Sequence, residues 1–374
     1  MLKHLKFAAI ALLTAVAFTA CSDDETSDGT SPAPAPEVVR GQSGFYVINQ
    51  GNSYSQIAST LSFVAGDSVT FNNVFYNANN KNIGDNAQKP VIYGAKMYIP
   101  MHDENLVWVV NAETCQEIAR IEVKAPQAVA ASNGYVFVSN SDSLVTRVDT
   151  TGFAKTDLQL DGSGVYGMTS AKGNVYVNMS GKYGTWEGGS KVAKIDAATL
   201  STTYIAVGIN PYDQITSDDA GNVFTVCCGN YADVASQVWK INAATGTASK
   251  FCDGTHIAVN NQNRTSREAA AVQPIYVINQ VTDWNTYATV CTCKLYNTAT
   301  GEVVNENFLP ADHQPALGAI VNLDVNPATG DLYICADNKS YDYSSPGTVW
   351  QYKADGTYVK IHRVGIHPYG VAFK

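Results

Sequence analysis

The chain has 374 residues, with 24 lysines and arginines against 33 aspartates and glutamates, which gives a formal net charge of −9 at pH 7. That balance argues against nucleic acid or an anionic lipid surface as the main partner, because both repel an acidic protein. The length allows a large hydrophobic core, and we interpret the acidity as a feature that favours solubility.

The first twenty residues predict a bacterial lipoprotein signal. Lys3 and Lys6 form a short basic region, and Phe7–Ala20 is an apolar run of fourteen residues that ends in small side chains. Such a run is too short to span a bilayer and is typical of a secretory signal peptide. Cys21 follows at once, so we expect residues 1–20 to be removed and Cys21 to be lipidated. An ordinary signal followed by an unmodified cysteine is the alternative.

The residues after this cysteine indicate where the protein resides. The acidic sequence SDDE directly after Cys21 resembles the surface-export signal of Bacteroidetes lipoproteins. We therefore expect a protein that is lipid-anchored in the outer membrane, faces the outside of the cell and touches the membrane only through its anchor. Residues 21–43 include a run of prolines and alanines and predict a flexible tether, so the folded domain is expected to span residues 44–374.

One strand-like core recurs seven times in the remaining chain. Each copy alternates apolar and polar residues in the manner of a β-strand and contains one aromatic residue. These aromatic residues are Tyr46, Tyr98, Phe137, Tyr176, Phe224, Tyr276 and Tyr333. Neighbouring copies are 39 to 57 residues apart, which fits four strands and their turns in each unit.

Two further strands follow the core in each unit. The first is apolar and runs into a turn of the Asn/Asp-Ala-Thr-Gly type, as in KVAKIDAATL at residues 191–200. In such a turn the Asp or Asn side chain hydrogen-bonds the backbone two residues on, and a glycine accepts positive φ. A fourth strand then returns, as in TTYIAVG at residues 202–208. Each unit is therefore predicted to be a meander of four strands, a-b-c-d.

The last segment of the chain supplies a strand that the first unit lacks. Units two to seven each have a first strand before the aromatic core, whereas only the tether precedes the first core. The segment PYGVAFK at Pro368–Lys374 resembles those first strands. We expect it to pair with the first core, near Phe45–Ile48, and so to close a ring without exposed sheet edges. The predicted fold class is all-β, a seven-bladed β-propeller of four-stranded blades, and six or eight blades remain open if one unit is degenerate.

Seven cysteines follow Cys21, an odd number that cannot be fully paired within the chain. Most lie in apolar strand-like runs, where a free cysteine behaves as a small hydrophobic residue. Cys291 and Cys293 are two residues apart on one predicted strand, so both thiols are expected on the same face. Neither has companions at the spacing of a zinc site, and no metal is predicted.

Candidate ligand-binding residues concentrate in the loops between strands b and c. In a propeller these loops emerge on the same face as the d–a connections, around the central channel. Aromatic side chains with a polar group favour recognition surfaces, although each could instead pack on its own loop. The candidates in these loops are Tyr54, His102, Tyr183, Trp186, Tyr231, Trp284, Tyr287, Tyr341 and Tyr343. Arg264 lies in a long segment, Asp253–Glu268, that we interpret as a d–a connection, and it suits a phosphate or carboxylate.

The sequence contains no signature of catalysis. It lacks the G-x-S-x-G, H-E-x-x-H and P-loop motifs and any spaced set of Cys and His ligands. We therefore predict no catalytic residue and no cofactor. Some propellers cleave sugars with paired carboxylates that only geometry can reveal, so an enzyme acting on glycans or lactones stays an alternative. A scaffold that binds another envelope protein through the loop face is the third possibility.

Several stretches carry a resemblance to a known family. The lipobox and tether, GFYVINQGN at residues 44–52, NIGDNAQ at residues 82–88 and the LVWVVNAET turn resemble the YncE-like seven-bladed surface lipoproteins of gut Bacteroidetes. The best understood of these are the cobalamin-capture lipoproteins of the BtuG type, which hold a corrinoid on one propeller face and cap an outer-membrane transporter. The resemblance lies in fold and repeat style over nearly the whole mature chain, and individual ligand contacts do not match one by one. It implies a cell-surface protein that binds a small ligand, a corrinoid such as cobalamin, and delivers it to an outer-membrane transporter.

Overall fold

The computed structural model describes residues 39–66, 69–140, 143–182, 185, 189–262, 273–283, 288–314, 317–338 and 343–374. Over these residues the chain folds into seven antiparallel sheets of four strands each, arranged as the blades of a propeller. The predicted fold class is confirmed, and with it the number of blades and the a-b-c-d order of strands.

Each blade runs from an innermost strand, a, to an outermost strand, d. Blade 1 contains β1 (Gly44–Asn49), β2 (Thr60–Ala65) and β3 (Thr70–Phe71) as strands b to d. Blade 2 contains β4 (Val91–Tyr93), β5 (Lys96–Met101), β6 (Leu106–Asn111) and β7 (Glu117–Glu122). Blade 3 contains β8 (Pro126–Ser132), β9 (Tyr135–Asn140), β10 (Leu144–Asp149) and β11 (Lys155–Gln159). Blade 4 contains β12 (Val165–Ala171), β13 (Asn174–Met179), β14 (Lys191–Asp196) and β15 (Thr202–Ala206).

The remaining blades follow the same order. Blade 5 contains β16 (Pro211–Ser217), β17 (Val223–Cys227), β18 (Gln237–Ile241) and β19 (Ala248–Asp253). Blade 6 contains β20 (His256–Val259), β21 (Pro274–Asp283), β22 (Ala288–Asn297) and β23 (Val303–Asn305). Blade 7 contains β24 (Ile320–Val325), β25 (Leu332–Ala336), β26 (Pro346–Tyr352) and β27 (Tyr358–Ile366). β28 (Pro368–Phe373) is the a strand of blade 1.

The b strands form the buried middle of the blades. Neighbouring blades cover both faces of these strands, which is why they read as nearly continuous apolar runs. The seven aromatic residues that define the repeat are all at most 4% exposed. The hydroxyl of Tyr46 donates to the carbonyl of Ala112 in the next blade (2.8 Å), and that of Tyr276 donates to Ala354 in the same way (2.9 Å). The repeated aromatic residue thus both fills the core and, in these two blades, bonds the neighbouring blade.

The closure predicted for the chain ends is confirmed. β28 pairs antiparallel with β1, with Phe45 opposite Phe373 and Ile48 opposite Gly370. The rings of Phe45 and Phe373 also pack against Tyr333 of blade 7, with centroids 4.8 and 5.0 Å away. The closing strand is therefore held by a backbone ladder on one side and by aromatic packing with the next blade.

The predicted c–d turns are also confirmed. The side-chain oxygen of Asn111 accepts from the backbone N–H of Glu113 (2.7 Å), and that of Asp149 accepts from Thr151 (2.9 Å). Asp196 makes the same contact two residues on, with Ala198 (3.0 Å). These bonds satisfy turn backbone that would otherwise lack partners and fix the c–d hairpins.

The antiparallel order places two kinds of connection on opposite faces of the disc. The b–c loops and d–a connections share one face, which we call the mouth face, and the a–b and c–d turns share the other. The chain enters the fold on the second face, because β1 is a b strand that begins at Gly44. There the ammonium of Lys374 donates to the carbonyls of Val39 (2.6 Å) and Gln42 (2.8 Å) and pairs with Glu113 (2.9 Å).

Helical structure is minor in the described part of the chain. A single-turn 3-10 helix covers Ser53–Ser55, and α1 (Val74–Asn79) lies in the connection between blades 1 and 2. Val74 and Phe75 of α1 are buried in the core beside Trp108, so the helix covers blade 1 where β3 is short. No helix among the described residues has the length and apolar character of a membrane span.

Candidate functional site

The seven a strands enclose a central channel that holds a cavity of about 490 Å³. Its walls combine small or aliphatic side chains, such as Ala130, Ile215 and Val259, with polar ones. The polar side chains nearest the mouth face, where the a strands begin, are Lys89, Gln127, Asp213 and Tyr369, and others such as Asn322 and Asp324 lie deeper. The channel thus offers both apolar and polar groups to a small molecule, with charged side chains close to its entrance.

Backbone bulges shape this entrance. Five of the seven a strands (β8, β12, β16, β24 and β28) have a register shift against their b strand, close to their first residues. A bulge re-aims the side chains beside it. In β12 the shift separates Val165 from Met168, and in β16 it separates Pro211 from Ile215, so Tyr166 and Tyr212 leave the regular alternation.

Four tyrosines and one aspartate form what we call the mouth cluster: Tyr166, Tyr212, Tyr231, Tyr369 and Asp213. The rings of Tyr166 and Tyr212 pack against each other in a tilted arrangement, with centroids 4.2 Å apart and planes 45° apart. The hydroxyl of Tyr231 accepts from the side-chain amide of Asn210 (3.3 Å), just before β16. Tyr212 is 38% exposed and Tyr231 is 72% exposed. Aromatic surface therefore faces solvent beside the channel entrance.

Blades 4 and 5 approach each other closely beneath these rings. A Cβ on Gly167 would lie 2.1 Å from the carbonyl oxygen of Asp213 and 3.0 Å from that of Tyr212. Such distances leave no room for a side chain, so glycine is required there. The close approach brings the two tyrosine-bearing strands together, so that the two rings can touch.

Asp213 is the acidic centre of the mouth cluster. The hydroxyl of Tyr369 donates to Asp213 from across the channel, since β28 belongs to blade 1 and β16 to blade 5. Burial raises the pKa of the Asp213 carboxyl, while the Tyr369 hydrogen bond and the charge of Lys89 act in the opposite direction. Burial, together with the charge of Asp213, raises the pKa of Tyr369 well above its usual value. Tyr369 therefore stays a hydrogen-bond donor.

A second polar group crosses the channel below the mouth. Asp324 is buried and forms an ion pair with Lys89, and it also accepts from the side chain of Asn322 (2.9 Å) and from the backbone of Val371 (2.8 Å). Asn322 in turn accepts from Gln214 of blade 5 (3.0 Å). Burial raises the pKa of the Asp324 carboxyl, and Lys89 opposes that rise. These bonds join blades 1, 5 and 7 across the axis.

Of the ten ligand-binding residues predicted from the sequence, four lie in the described part of the chain, and the structure separates them. Tyr231 belongs to the mouth cluster. The other three lie in the b–c loops of blades 7, 1 and 2, where the side chain of Asn52 donates to the carbonyl of Tyr343 (2.9 Å). Tyr54 is fully exposed beside this contact. His102 bonds through Nδ1 to Asp103 (2.6 Å), which also accepts from Asn86 (3.1 Å). These three loops form a second group on the mouth face.

The other predicted residues lie outside the described residues. They are Tyr183, Trp186, Trp284, Tyr287, Tyr341, Arg264 and the lipidation site Cys21. One boundary nevertheless differs from the expectation. Residues 256–259 form β20, the a strand of blade 6, so the segment between β20 and β21 that contains Arg264 is an a–b connection and not a d–a connection. Such a connection begins and ends at the face opposite the mouth.

Sequence reasoning did not select Tyr166, Tyr212, Tyr369 or Asp213. A signal was present, because three a strands begin with related sequences, VYGM, PYDQ and PYGV, each with tyrosine at its second residue. A search limited to loops misses this signal, because these residues lie inside strands. For metals, no group of three or more His, Cys, Asp or Glu side chains suited to an ion occurs among the described residues.

Comparison with known proteins supports the fold and assigns the family. No curated protein matches the chain. A quinoprotein alcohol dehydrogenase-like protein from Bacteroides thetaiotaomicron is 15% identical, with a TM-score of 0.62 over 89% of this chain and 78% of that one. Hydrazine synthase from Kuenenia stuttgartiensis is 15% identical, with a TM-score of 0.59 over 76% of this chain and 88% of that one. These similarities show the fold alone. The model of the family described as Domain of unknown function (DUF5074) matches residues 43–361, and the chain belongs to that family.

Proposed function

We propose that this protein captures a small, flat, partly apolar ligand on the mouth cluster, without chemical conversion of that ligand. The observation that carries the proposal is the exposed aromatic surface of Tyr212 and Tyr231 beside a polar channel entrance. Exposed rings with a hydroxyl group bind flat surfaces by stacking and fix their orientation by hydrogen bonds. The ligand class that we propose is a corrinoid such as cobalamin, for which the resemblance to YncE-like surface lipoproteins is the support.

The chemistry of the mouth suits such a ligand. A corrin has broad apolar faces and a rim of amide side chains. The rings of Tyr166 and Tyr212 offer an apolar platform, and the carboxylate of Asp213 and the amide of Gln127 at the entrance offer partners for amides. A ligand on this platform lies across the channel opening, close to the ion pair of Lys89 and Asp324.

The contribution of one ring can be estimated. Tyr212 is 38% exposed. An aromatic side chain buries about 150–250 Å², so covering the exposed part removes roughly 75 Å² from water. At about 25 cal/mol per Å² this contributes about 2 kcal/mol. Loss of the ring should therefore weaken binding roughly 20- to 30-fold.

Isothermal titration with cyanocobalamin and with cobinamide tests the proposal. We expect binding by the wild type and a roughly 20- to 30-fold weaker affinity for Tyr212→Ala. Tyr204→Ala is the matched control, because Tyr204 is 39% exposed but lies in β15, at the outer edge of blade 4. Absence of heat with both corrinoids would overturn the corrinoid assignment. Equal loss in both variants would show that the mouth cluster is not the site.

We further propose that the protein is anchored in the outer membrane through Cys21 and passes its ligand to an outer-membrane transporter. The support is the lipobox, the acidic residues after it and the tether. A tether confines the captured ligand near the transporter and raises its local concentration without any chemical step. Partition of the full-length wild type into a detergent phase, and of Cys21→Ala into the aqueous phase, would support the anchor. Aqueous partition of both would contradict it.

A second function, an enzyme acting on glycans or lactones, is favoured by the two channel carboxyls, Asp213 and Asp324. The bonds of Asp324 to Lys89, Asn322 and Val371 already occupy its oxygens, which suits a structural role more than acid–base chemistry. Burial raises the pKa of both carboxyls, but Asp213 is the partly exposed one and could meet a substrate as a general acid. Turnover of a polysaccharide that is abolished in Asp213→Asn would favour the enzyme over the capture protein.

A further inference from the structure

Blade 6 carries two thiols in contact. Cys291 and Cys293 lie two residues apart in β22, opposite Gln280 and Ile278 of β21. Alternate residues of a strand point to the same face, and the two sulfur atoms are 3.4 Å apart. This confirms the shared face expected from the sequence. The short distance between the sulfur atoms also shows that the two thiols are in contact.

The surroundings of the two thiols differ. Cys293 is fully buried in a hydrophobic cluster with Phe308 and Leu317, whereas Cys291 packs at the margin of that cluster and is partly exposed. The hydrogen bond between them lowers the pKa of Cys291 and, together with burial, raises the pKa of Cys293. An accessible thiol that ionises readily thus lies against a sheltered one, the arrangement in which the first attacks an oxidant and the second resolves it.

The backbone around the pair has room to adjust. β22 has β21 on one side, but on its other side β23 pairs with it only at Leu295 and Tyr296. Beside the thiols, the outer edge of β22 makes one described backbone bond, from Phe308 to the carbonyl of Cys293 (3.0 Å). A change in backbone conformation at residues 291–293 therefore disturbs the ladder between β22 and β21 but not the one between β22 and β23.

The geometry of a strand also predicts what kind of disulfide could form. Two residues apart, the Cα atoms of a strand are separated by about 6.6–6.8 Å, at the upper end of the range of about 4.4–6.8 Å found for disulfides. Such a bond can form but is strained, and strained disulfides are the ones that are easily reduced. The expected bond is therefore reversible and not a permanent structural link.

We propose that Cys291 and Cys293 form a reversible dithiol–disulfide couple, whose oxidant is a disulfide, either a small molecule such as oxidised glutathione or the disulfide of an oxidoreductase. In the first step the Cys291 thiolate attacks one sulfur of the oxidant, a mixed disulfide forms, and the other half of the oxidant leaves as a thiolate. In the second step the Cys293 thiolate attacks Cys291, and the second thiolate leaves. The protein loses two protons and two electrons, and the oxidant gains two electrons to become two thiolates, which take up the protons.

A second pair of cysteines close in sequence, Cys227 and Cys228, provides an internal comparison. Cys227 is the last residue of β17 and Cys228 follows it directly, and neighbouring residues of an extended chain point in opposite directions. Cys227 is buried, and burial raises the pKa of Cys228 to about 11, so neither thiol is disposed to react. This pair should remain reduced under the same oxidant.

Peptide mass analysis tests the proposal in the full-length protein. Trypsin releases both thiols of the couple in one peptide, Glu268–Lys294, which contains no other cysteine, and the comparison pair in Ile195–Lys240. After treatment with oxidised glutathione and alkylation, we expect the first peptide to be lighter by two hydrogens and to lack alkyl groups. Treatment with dithiothreitol should restore both alkylations. Two alkyl groups on this peptide after oxidation would overturn the proposal.

Two single variants test the order of attack. Cys293→Ser should accumulate a mixed disulfide between Cys291 and glutathione, because the resolving thiol is gone. Cys291→Ser should accumulate none, because Cys293 is buried. Equal labelling of the two variants would contradict the assigned roles. If a variant does not fold, the wild-type peptide measurement still decides whether the couple exists.

Discussion

Lys89→Met should destabilise the propeller strongly, and more so at neutral than at acidic pH. Asp324 is 7% exposed and has Lys89 as its counter-ion, whereas methionine keeps the aliphatic stem and removes the charge. Removing one partner of a buried ion pair costs about 3–5 kcal/mol. The Lys89 side chain is 43% exposed, so water reaches the site, and we expect a loss of about 2–3 kcal/mol, below that range. Two hydrogen bonds, from Asn322 and Val371, remain to the carboxylate.

The pH dependence follows from the carboxyl. Burial already holds the pKa of Asp324 above its usual value, and removal of Lys89 removes an effect that lowers it. The folded variant therefore binds a proton more readily than the unfolded chain, so it gains stability as the pH falls through the folded pKa. The difference between wild type and Lys89→Met should be largest near pH 7 and should shrink toward acidic pH.

Urea denaturation followed by tryptophan fluorescence, at neutral and acidic pH, measures this difference. The control is the double variant Lys89→Met/Asp324→Asn, in which no charge is left unpaired and the asparagine oxygen can still accept from Val371. It should recover most of the lost stability. A free energy of unfolding for Lys89→Met within about 0.5 kcal/mol of the wild type, the scale of an ordinary surface substitution, would refute the assignment of a buried ion pair. So would a difference that does not change with pH.

Two further pairs of variants test the core and the mouth by the same denaturation assay. Tyr46→Phe should cost about 1–2 kcal/mol because the carbonyl of Ala112 loses its donor, whereas Tyr98→Phe should be neutral or stabilising, because the buried Tyr98 hydroxyl has no partner among the described residues. Equal effects would contradict this reading. Gly167→Ala should cost about 1–3 kcal/mol, because its Cβ would meet the backbone of the next blade. Gly152→Ala, in an open turn, should change stability by less than about 0.5 kcal/mol, and a comparable loss in both would rule out the steric explanation.

The architecture could be predicted from the sequence because its determinants are local and repeated. A residue such as Tyr276 lies in a run with strand periodicity and recurs at propeller spacing, so its burial follows from the pattern alone. The pairing of Pro368–Phe373 with β1 followed from counting strands, since one unit lacked its first. The turn at Asp149 followed from the chemistry of its side chain.

The site could be predicted only in part, because it depends on irregular backbone and on contacts across the ring. Tyr212 faces the mouth through a bulge, and a bulge has no periodic signature. The hydrogen bond from Tyr369 to Asp213 joins residues 156 positions apart, and neither local sequence predicts that the two segments meet. The four residues of β20, HIAV, are too few to show alternation, so the sequence predicts a loop there and assigns the segment that contains Arg264 to the wrong connection.

The contacts of Lys374 with Val39, Gln42 and Glu113 have a mechanical consequence. A force applied to the chain before residue 39 first loads the hydrogen bonds from Lys374 to the carbonyls of Val39 and Gln42. It then reaches the propeller at Gly44. From there the tension runs along β1, which is laddered on both sides, to β28 and to β2. A force along β1 loads the hydrogen bonds of both ladders in shear, so that they must break together and not one after another. The closure between β28 and β1 is therefore also a mechanically resistant attachment point.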